Sequence, residues 1–79
     1  MNENQVLIGS IPRNSTISIV TATVDTKAGA RLDIRQYCMA ADGPRPTTRG
    51  VRLAMRDAGK LVQHIQQAIE AAQGGAENG

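Results

Sequence analysis

Two segments in the middle of the chain alternate hydrophobic and polar residues, which is the pattern of a β-strand with one covered face. In residues 30–37, one face would carry Leu32 and Ile34, and the other Arg31, Asp33, Arg35 and Tyr37. In residues 49–55, Val51, Leu53 and Met55 oppose Arg52 and Ala54. We therefore expect one face of the sheet to form the core and the other to be hydrated and basic.

Two further segments complete the predicted sheet. Residues 16–25, TISIVTATVD, are dense in β-branched side chains, and residues 26–29 are interpreted as a turn. Residues 6–10 are interpreted as a short first strand that Pro12 ends, since proline cannot donate a ladder hydrogen bond. Hairpin connections would make the sheet antiparallel, which allows one face to be solvated.

The hydrophobic period becomes helical over residues 56–72. One stripe of this helix would contain Leu61, Val62, Ile65, Ala68, Ile69 and Ala72. Residues 1–5 are expected to be flexible and residues 73–79 disordered, which leaves 6–72 as a single domain. The predicted fold class is α+β, with an antiparallel sheet of about four strands followed by one C-terminal amphipathic helix.

The composition predicts a thin core. The chain has 79 residues, no Phe, no Trp and a single tyrosine, Tyr37. Its only cysteine is Cys38, so no disulfide within the chain can compensate. We therefore expect a homodimer whose interface is the helical stripe, in particular Leu61, Val62, Ile65, Ala68 and Ile69.

The positive charges are concentrated in one part of the chain. Nine basic residues, seven of them arginine, lie between Arg13 and Lys60, against four acidic residues in the same range. Arginine presents a planar fork of donors that suits phosphate, whereas a merely soluble surface could use lysine equally well. Nucleic acid is therefore the leading candidate partner.

The residue types argue against an enzyme. One histidine, one cysteine and dispersed carboxylates do not supply a ligand set or a nucleophile with its base, so no catalytic residue, metal or cofactor is predicted. His64 is interpreted as solvent-facing or at an interface edge, and Cys38 as a small packed side chain. Because no segment has the length of a membrane span or of a signal peptide, we expect a cytoplasmic, nucleoid-associated protein without a membrane partner.

The stretch RQYCMAADGPRPTTRG, residues 35–50, is interpreted as containing a polar loop between the strands 30–37 and 49–55, with an arginine before the loop, inside it and at its exit. A solvated charged face is the ordinary explanation for arginines that alternate along a strand. Here their clustering, the shortage of acids and the presence of Tyr37 favour a binding surface. Tyr37 could stack on a base while the guanidinium groups hold phosphates.

Several motifs resemble the bacterial and phage relatives of the transcriptional positive cofactor four family. They are IGSIPRNS before a strand, LDIRQY, an acidic glycine-containing turn, and RPTTRGVRL before a terminal amphipathic helix. The resemblance covers roughly residues 8–72. It implies a homodimer in which each subunit has a curved antiparallel sheet and one long helix, with the helices packing across the dimer axis and the sheets presenting a basic surface to single-stranded DNA.

The resemblance also implies which residues contact DNA. The arginine of the family's isoleucine-arginine pair falls on Arg35, its loop lysines fall on Arg45 and Arg49, and the basic residue of its first hairpin turn falls on Lys27. With the residues that the alternation and the loop add, the predicted nucleic-acid contacts are Lys27, Arg35, Tyr37, Arg45, Thr47, Thr48, Arg49 and Arg52.

The chain departs from the family at three aromatic positions. Thr26 stands in the first hairpin turn, Cys38 follows the tyrosine, and Ala58 occupies the first helical turn. Base stacking should therefore be weaker than in the family, although arginine can itself stack on bases.

The sequence thus predicts a dimeric module that binds single-stranded nucleic acid, with DNA favoured, at low sequence specificity, in transcription, replication or repair. Transcription or replication proteins are candidate further partners. The alternative is a dimeric interaction protein whose basic face binds an acidic protein partner. A third interpretation, binding of duplex DNA by charge alone, has less support, because no helix is rich enough in arginine to be an evident major-groove reader.

Overall fold

The structure, a computed structural model, describes residues 4–78, and side chains as far as residue 74. Four strands form one antiparallel sheet in the order β1-β2-β3-β4, and a helix follows. The elements are β1 (Asn4–Pro12), β2 (Ile17–Thr26), β3 (Gly29–Ala40), β4 (Gly43–Ala54) and α1 (Met55–Asn78). The predicted α+β fold, a four-stranded antiparallel sheet followed by one C-terminal helix, is confirmed.

The two tight hairpins, β2–β3 and β3–β4, turn in the same way. Gly29 and Gly43 have φ values of 111° and 119°. Among the described residues, no non-glycine residue has a positive φ. Each glycine follows a two-residue turn, so the backbone adopts the left-handed region only where no Cβ opposes it. In the first hairpin, the Thr26 hydroxyl also accepts a hydrogen bond from Ala28 N at 3.1 Å and donates one to Gly29 O at 2.8 Å.

The longer β1–β2 connection is organised by Asn14. Its Oδ1 accepts hydrogen bonds from Thr16 N at 2.9 Å, Thr16 Oγ1 at 3.0 Å and Ile17 N at 2.9 Å. This is the local side-chain bonding that makes asparagine a turn residue. The connection is thereby fixed at the start of β2.

The predicted polar loop between the strands 30–37 and 49–55 is wrong, because only Ala41 and Asp42 within it lie outside a β-strand. β4 begins at Gly43 and includes Pro44 and Pro46. Prolines are tolerated there because β4 is an edge strand. Proline has no backbone N–H, and an edge strand does not need every N–H to bond to a neighbouring strand. The arginines of this stretch therefore lie on a β-hairpin rather than around a loop.

The predicted element boundaries also shift. Met55 begins the helix rather than ending a strand, and the helix extends to Asn78, past the predicted end at Ala72. Asn4 and Gln5, predicted to be flexible, are the first residues of β1. The remainder of the predicted flexible N-terminus, residues 1–3, and the last residue of the predicted tail, Gly79, lie outside the described residues.

The most buried side chains lie on the face that carries the arginines. Val20, Ala22 and Val24 of β2 are 7%, 1% and 2% exposed, and Asp33 is 2% exposed. The β2–β3 register sets these three residues directly opposite Arg35, Asp33 and Arg31, so they share one face of the sheet. We call this face, which also bears Tyr37, the arginine face.

The expectation that the arginine face would be simply hydrated, with the core on the opposite side, is therefore wrong. Leu32 and Ile34, which were expected to form that core, are only half-buried. The physical reason is that Arg35 and Arg52 both bond to buried Asp33, which keeps their long side chains on the sheet beside the small residues of β2.

Helix α1 covers little of its own sheet. It contacts β3 and β4, and Ala58 and Leu61 are half-buried, but every residue from Val62 to Gln73 is exposed. The apolar stripe is part of that exposed surface, with Val62 at 53%, Ile65 at 46% and Ile69 at 50% exposure. Within the described chain, no helix combines the length and the apolar character needed to cross a membrane.

Candidate nucleic-acid interface

A bulge of three residues in β4 interrupts the pairing of β3 with β4 beside Tyr37. Arg35 pairs with Gly50 and Tyr37 pairs with Pro46, so the intervening residues of β4, Thr47 to Arg49, lie opposite a single residue, Gln36. The Thr47 hydroxyl donates to Gln36 O at 2.8 Å and accepts from Arg49 N at 3.1 Å. These bonds fix a segment that is excluded from the regular ladder.

Gly50 lets the bulge rejoin the sheet. A Cβ at this position would lie 2.6 Å from Ile34 O and 2.8 Å from Arg35 Cα, distances too short for any side chain. The backbones of β3 and β4 therefore approach each other closely next to Arg35, and only glycine permits this approach.

A buried carboxylate organises the arginines. Arg35 donates from Nε to Asp33 Oδ2 at 3.1 Å and from Nη2 to Asp33 Oδ1 at 2.9 Å, while Arg52 Nε forms an ion pair with Asp33 Oδ1 at 3.5 Å. Arg35 also donates from Nη1 to Thr47 O at 3.0 Å. One guanidinium thus joins the buried acid of β3 to the bulge of β4.

The ion pairs perturb both kinds of group. The hydrogen bond from Arg35, helped by the positive charges of Arg35 and Arg52, lowers the pKa of Asp33 below its ordinary value of 3.8 even though burial opposes ionisation. The hydrogen bond to Asp33 likewise raises the pKa of Arg35. Asp33 and Arg35 are therefore both charged at neutral pH, and the single carboxylate of Asp33 contacts the guanidinium groups of both Arg35 and Arg52.

These residues surround a hollow of about 570 Å³ on the arginine face, which we call the polar hollow. Val24 and Asp33 contribute to it, and its polar lining includes Gln5, Arg35, Tyr37, Thr47, Thr48 and Arg52. Gln5 Nε2 donates to the Tyr37 hydroxyl at 3.4 Å. The hollow thus combines cationic, hydroxyl and aromatic groups.

Arg35 keeps some donor capacity toward this hollow. It donates three hydrogen bonds within the protein, fewer than the number of N–H groups that a guanidinium carries. Its side chain is 20% exposed and that of Arg52 is 39% exposed. An anion in the polar hollow can therefore meet oriented guanidinium donors that Asp33 already holds in place.

No family model, curated protein or solved structure significantly matches this chain. The resemblance to the positive cofactor four family therefore rests on the quoted motifs alone. Its implied contacts remain predictions.

The structure brings together only part of the predicted nucleic-acid site. Five of the predicted contacts line the polar hollow, namely Arg35, Tyr37, Thr47, Thr48 and Arg52. Register confirms that Arg35, Tyr37 and Arg52 share one face, since Arg52 pairs with Asp33. Alternation along β3 and β4 thus predicted the composition of this face correctly.

Three predicted contacts lie outside the polar hollow. Lys27 is exposed in the β2–β3 turn, and Arg49 is exposed within the bulge. Arg45 pairs with Cys38 across the ladder, which places it on the opposite face of the sheet from Tyr37. Its Nε donates to Asp42 Oδ1 at 3.1 Å, and this bond raises the pKa of Arg45 and lowers that of Asp42.

Two polar residues of the site, Asp33 and Gln5, were not predicted. Asp33 was placed on the arginine face without a role, although an acid between Arg31 and Arg35 was the available signal for an internal ion pair. Gln5 fell in the segment expected to be flexible, and nothing in the sequence pointed to its contact with Tyr37. Among the described residues, no group of three or more potential metal ligands occurs.

Proposed function

We propose that this protein is a dimeric module that binds single-stranded DNA with low sequence specificity and acts in transcription, replication or repair. The observation that carries the proposal is the polar hollow, where Tyr37 adjoins guanidinium and hydroxyl groups on one face. Phosphate oxygens accept hydrogen bonds from such donors, and an unpaired base has a flat surface that can stack on an aromatic ring.

The ion pairs support phosphate binding by preorganisation. Asp33 and the carbonyl of Thr47 fix the guanidinium of Arg35 before any ligand arrives. The side-chain entropy lost on binding is then smaller than for a freely rotating arginine. Contacts to phosphates carry no sequence information, which accounts for low specificity.

The proposed dimer is supported by the exposed part of α1. A half-exposed stripe of Val62, Ile65 and Ile69, which its own sheet leaves uncovered, would be covered by the same stripe of a second copy. The packing of helices across a two-fold axis is also what the family resemblance implies. Two arginine faces would then belong to one assembly.

Fluorescence anisotropy with labelled oligonucleotides tests the proposal. Single-stranded DNA, duplex DNA and single-stranded RNA of equal length are titrated at several salt concentrations. If about four phosphates are neutralised per site, the logarithm of the affinity for a single strand falls against the logarithm of salt with a slope of about −3.

Strand topology separates the alternatives in the same experiment. The single strand should bind more tightly than the duplex, because its unpaired bases are free to meet Tyr37. Equal affinity for single strand and duplex at moderate salt, or a flat salt response, would contradict the proposal. Either result would favour an acidic protein as the partner of the basic face.

A further inference from the structure

A second hollow lies on the arginine face next to the polar hollow. It has a volume of about 300 Å³, near the lower end of the range for small-molecule sites. Its lining is mainly apolar, and we call it the apolar hollow; it includes Leu7, Ile8, Val20, Tyr37 and Pro44. Tyr37 lines both hollows, so a cationic site and an apolar site share one aromatic side chain.

The apolar hollow depends on an irregularity in β1. Leu7 pairs with Ala22 and Gly9 pairs with Thr21, so Ile8 is an extra residue in β1. Leu7 and Ile8 are 62% and 64% exposed. The bulge therefore holds two large apolar side chains beside Val20 without covering them.

The hairpin supplies the opposite wall of the apolar hollow. Tyr37 pairs with Pro46 and Met39 pairs with Pro44, so Tyr37 and Pro44 are diagonal neighbours on one face. Both residues line the hollow, and an aromatic ring and a proline ring offer surfaces on which a flat base can make van der Waals contact.

We propose that the apolar hollow is a nucleobase subsite, which takes one unpaired base of the strand whose phosphates occupy the polar hollow. The inference rests on the proposed function. A nucleotide joins an anionic group to a flat ring whose faces stack on apolar and aromatic surfaces, and the shared Tyr37 places sites for both side by side. Ser10 and Ser18, which also line the hollow, can each donate or accept a hydrogen bond, so the subsite tolerates different bases.

The test compares two oligonucleotides with the same number of phosphates, oligothymidylate and a fully abasic strand of equal length. The wild-type protein should bind oligothymidylate more tightly, by about 5- to 150-fold for each stacked base. Ser18→Ile fills the apolar hollow with a β-branched side chain that a strand accepts. This variant should lose most of the difference while keeping its affinity for the abasic strand and its salt slope.

Two variants control for side effects of the substitution. Ser15→Ile makes the same chemical change in the exposed β1–β2 connection and should behave like the wild type. Leu7→Ala removes one exposed wall of the hollow and should reduce the preference for oligothymidylate without a large change in melting temperature. It serves as the test if Ser18→Ile does not fold.

The outcomes separate the subsite from the proposed function. Equal binding of both strands by the wild type, or an undiminished preference in folded Ser18→Ile and Leu7→Ala, would overturn the nucleobase subsite while leaving phosphate binding intact. Absence of binding to either strand would overturn the proposed function, and the subsite with it.

Discussion

Asp33 and Arg35, two residues apart on β3, form a bidentate pair in which both carboxylate oxygens accept hydrogen bonds, at 2.9 and 3.1 Å. Alternation places both side chains on the arginine face, where the acid is 2% and the arginine 20% exposed. Arg35 therefore stabilises the fold through Asp33 and Thr47 and also lines the polar hollow, where phosphate is proposed to bind. Any substitution of Arg35 tests folding and binding at the same time.

Arg35→Ala should lower the free energy of unfolding by about 1–3 kcal/mol, because it leaves a buried carboxylate short of donors and frees the carbonyl of Thr47. Arg45→Ala is the matched control: it also breaks an Asp–Arg pair, but an exposed one, and should leave stability nearly unchanged. Urea unfolding followed by circular dichroism measures both. Equal stability of the two variants would contradict the structural part assigned to Arg35.

Stability should fall in acid through Asp33. Its folded-state pKa lies below the ordinary value of 3.8, so the unfolded chain binds a proton more readily than the folded chain. The resulting stabilisation is fully present above pH about 4 and is lost as the pH falls through the lowered pKa. Urea midpoints measured from pH 7 down to pH 2.5 follow this loss.

Two variants test whether Asp33 causes this loss of stability in acid. Asp33→Asn should be less stable than the wild type at pH 7 but should lose less on acidification. Asp42→Asn, which removes an exposed acid whose pKa is also lowered, should keep most of the wild-type dependence on pH, because solvent screens its pair with Arg45. An unchanged acid response in Asp33→Asn would show that another group is responsible.

Gly50→Ala should lower the free energy of unfolding by about 1–3 kcal/mol, because its Cβ would meet the backbone of β3 and force the bulge away. Gly9→Ala, in the bulge of β1, is the control, since no atom lies within 4 Å of its Cβ position and its φ is not positive. Denaturant midpoints compare the two. A tolerated Gly50→Ala would mean that the two backbones do not approach as closely as described.

Alternation predicted the strands and the facing of Tyr37. It did not predict that β4 contains two prolines and a bulge. Pro44 and Pro46 suggested a loop, and only the place of β4 at the edge of the sheet makes them compatible with a strand. The bulge opposite Gln36 likewise has no periodic signature, because it breaks the period.

The location of the core could not be read from β3 alone. Its neighbour β2 carries apolar residues on both faces, with Ile17 and Ile19 on one and Val20 and Val24 on the other. The sequence of β2 therefore does not show which face of the sheet is buried. The buried face is set by Asp33, which gathers arginines from two strands above the small residues of β2. Such pairing between strands depends on register, which the sequence pattern does not specify.

Ile65→Asp tests whether α1 mediates dimerisation. If the stripe is an interface, the substitution buries an unpaired charge and should raise the dimer dissociation constant by about 100-fold, roughly 2.8 kcal/mol. Gln67→Asp introduces the same charge about 200° around the helix and should leave assembly intact. Sedimentation velocity over a range of concentrations measures the dissociation constant.

Because Ile65 is half-exposed in the single chain, Ile65→Asp and Gln67→Asp should differ only if a second copy covers Ile65. In a monomeric protein, both substitutions would fall on an exposed surface and both would be nearly neutral. Wild-type protein that sediments as a folded monomer at micromolar concentration would contradict the proposed dimer.

Arg52→Gln should identify a phosphate contact without removing the bidentate pair, because Arg35 keeps both of its bonds to Asp33. Arg52 lines the polar hollow, so its loss should make the salt slope shallower by about 0.7 and weaken binding to all base compositions alike. Arg45→Gln is the control with the same change of charge on the opposite face. It should lower the affinity little and leave the slope unchanged, as anisotropy titrations at several salt concentrations can show. If Arg45→Gln instead removes as much of the slope as Arg52→Gln, the strand contacts the end of the β3–β4 hairpin, as the family resemblance implies, and the polar hollow is not its main binding site.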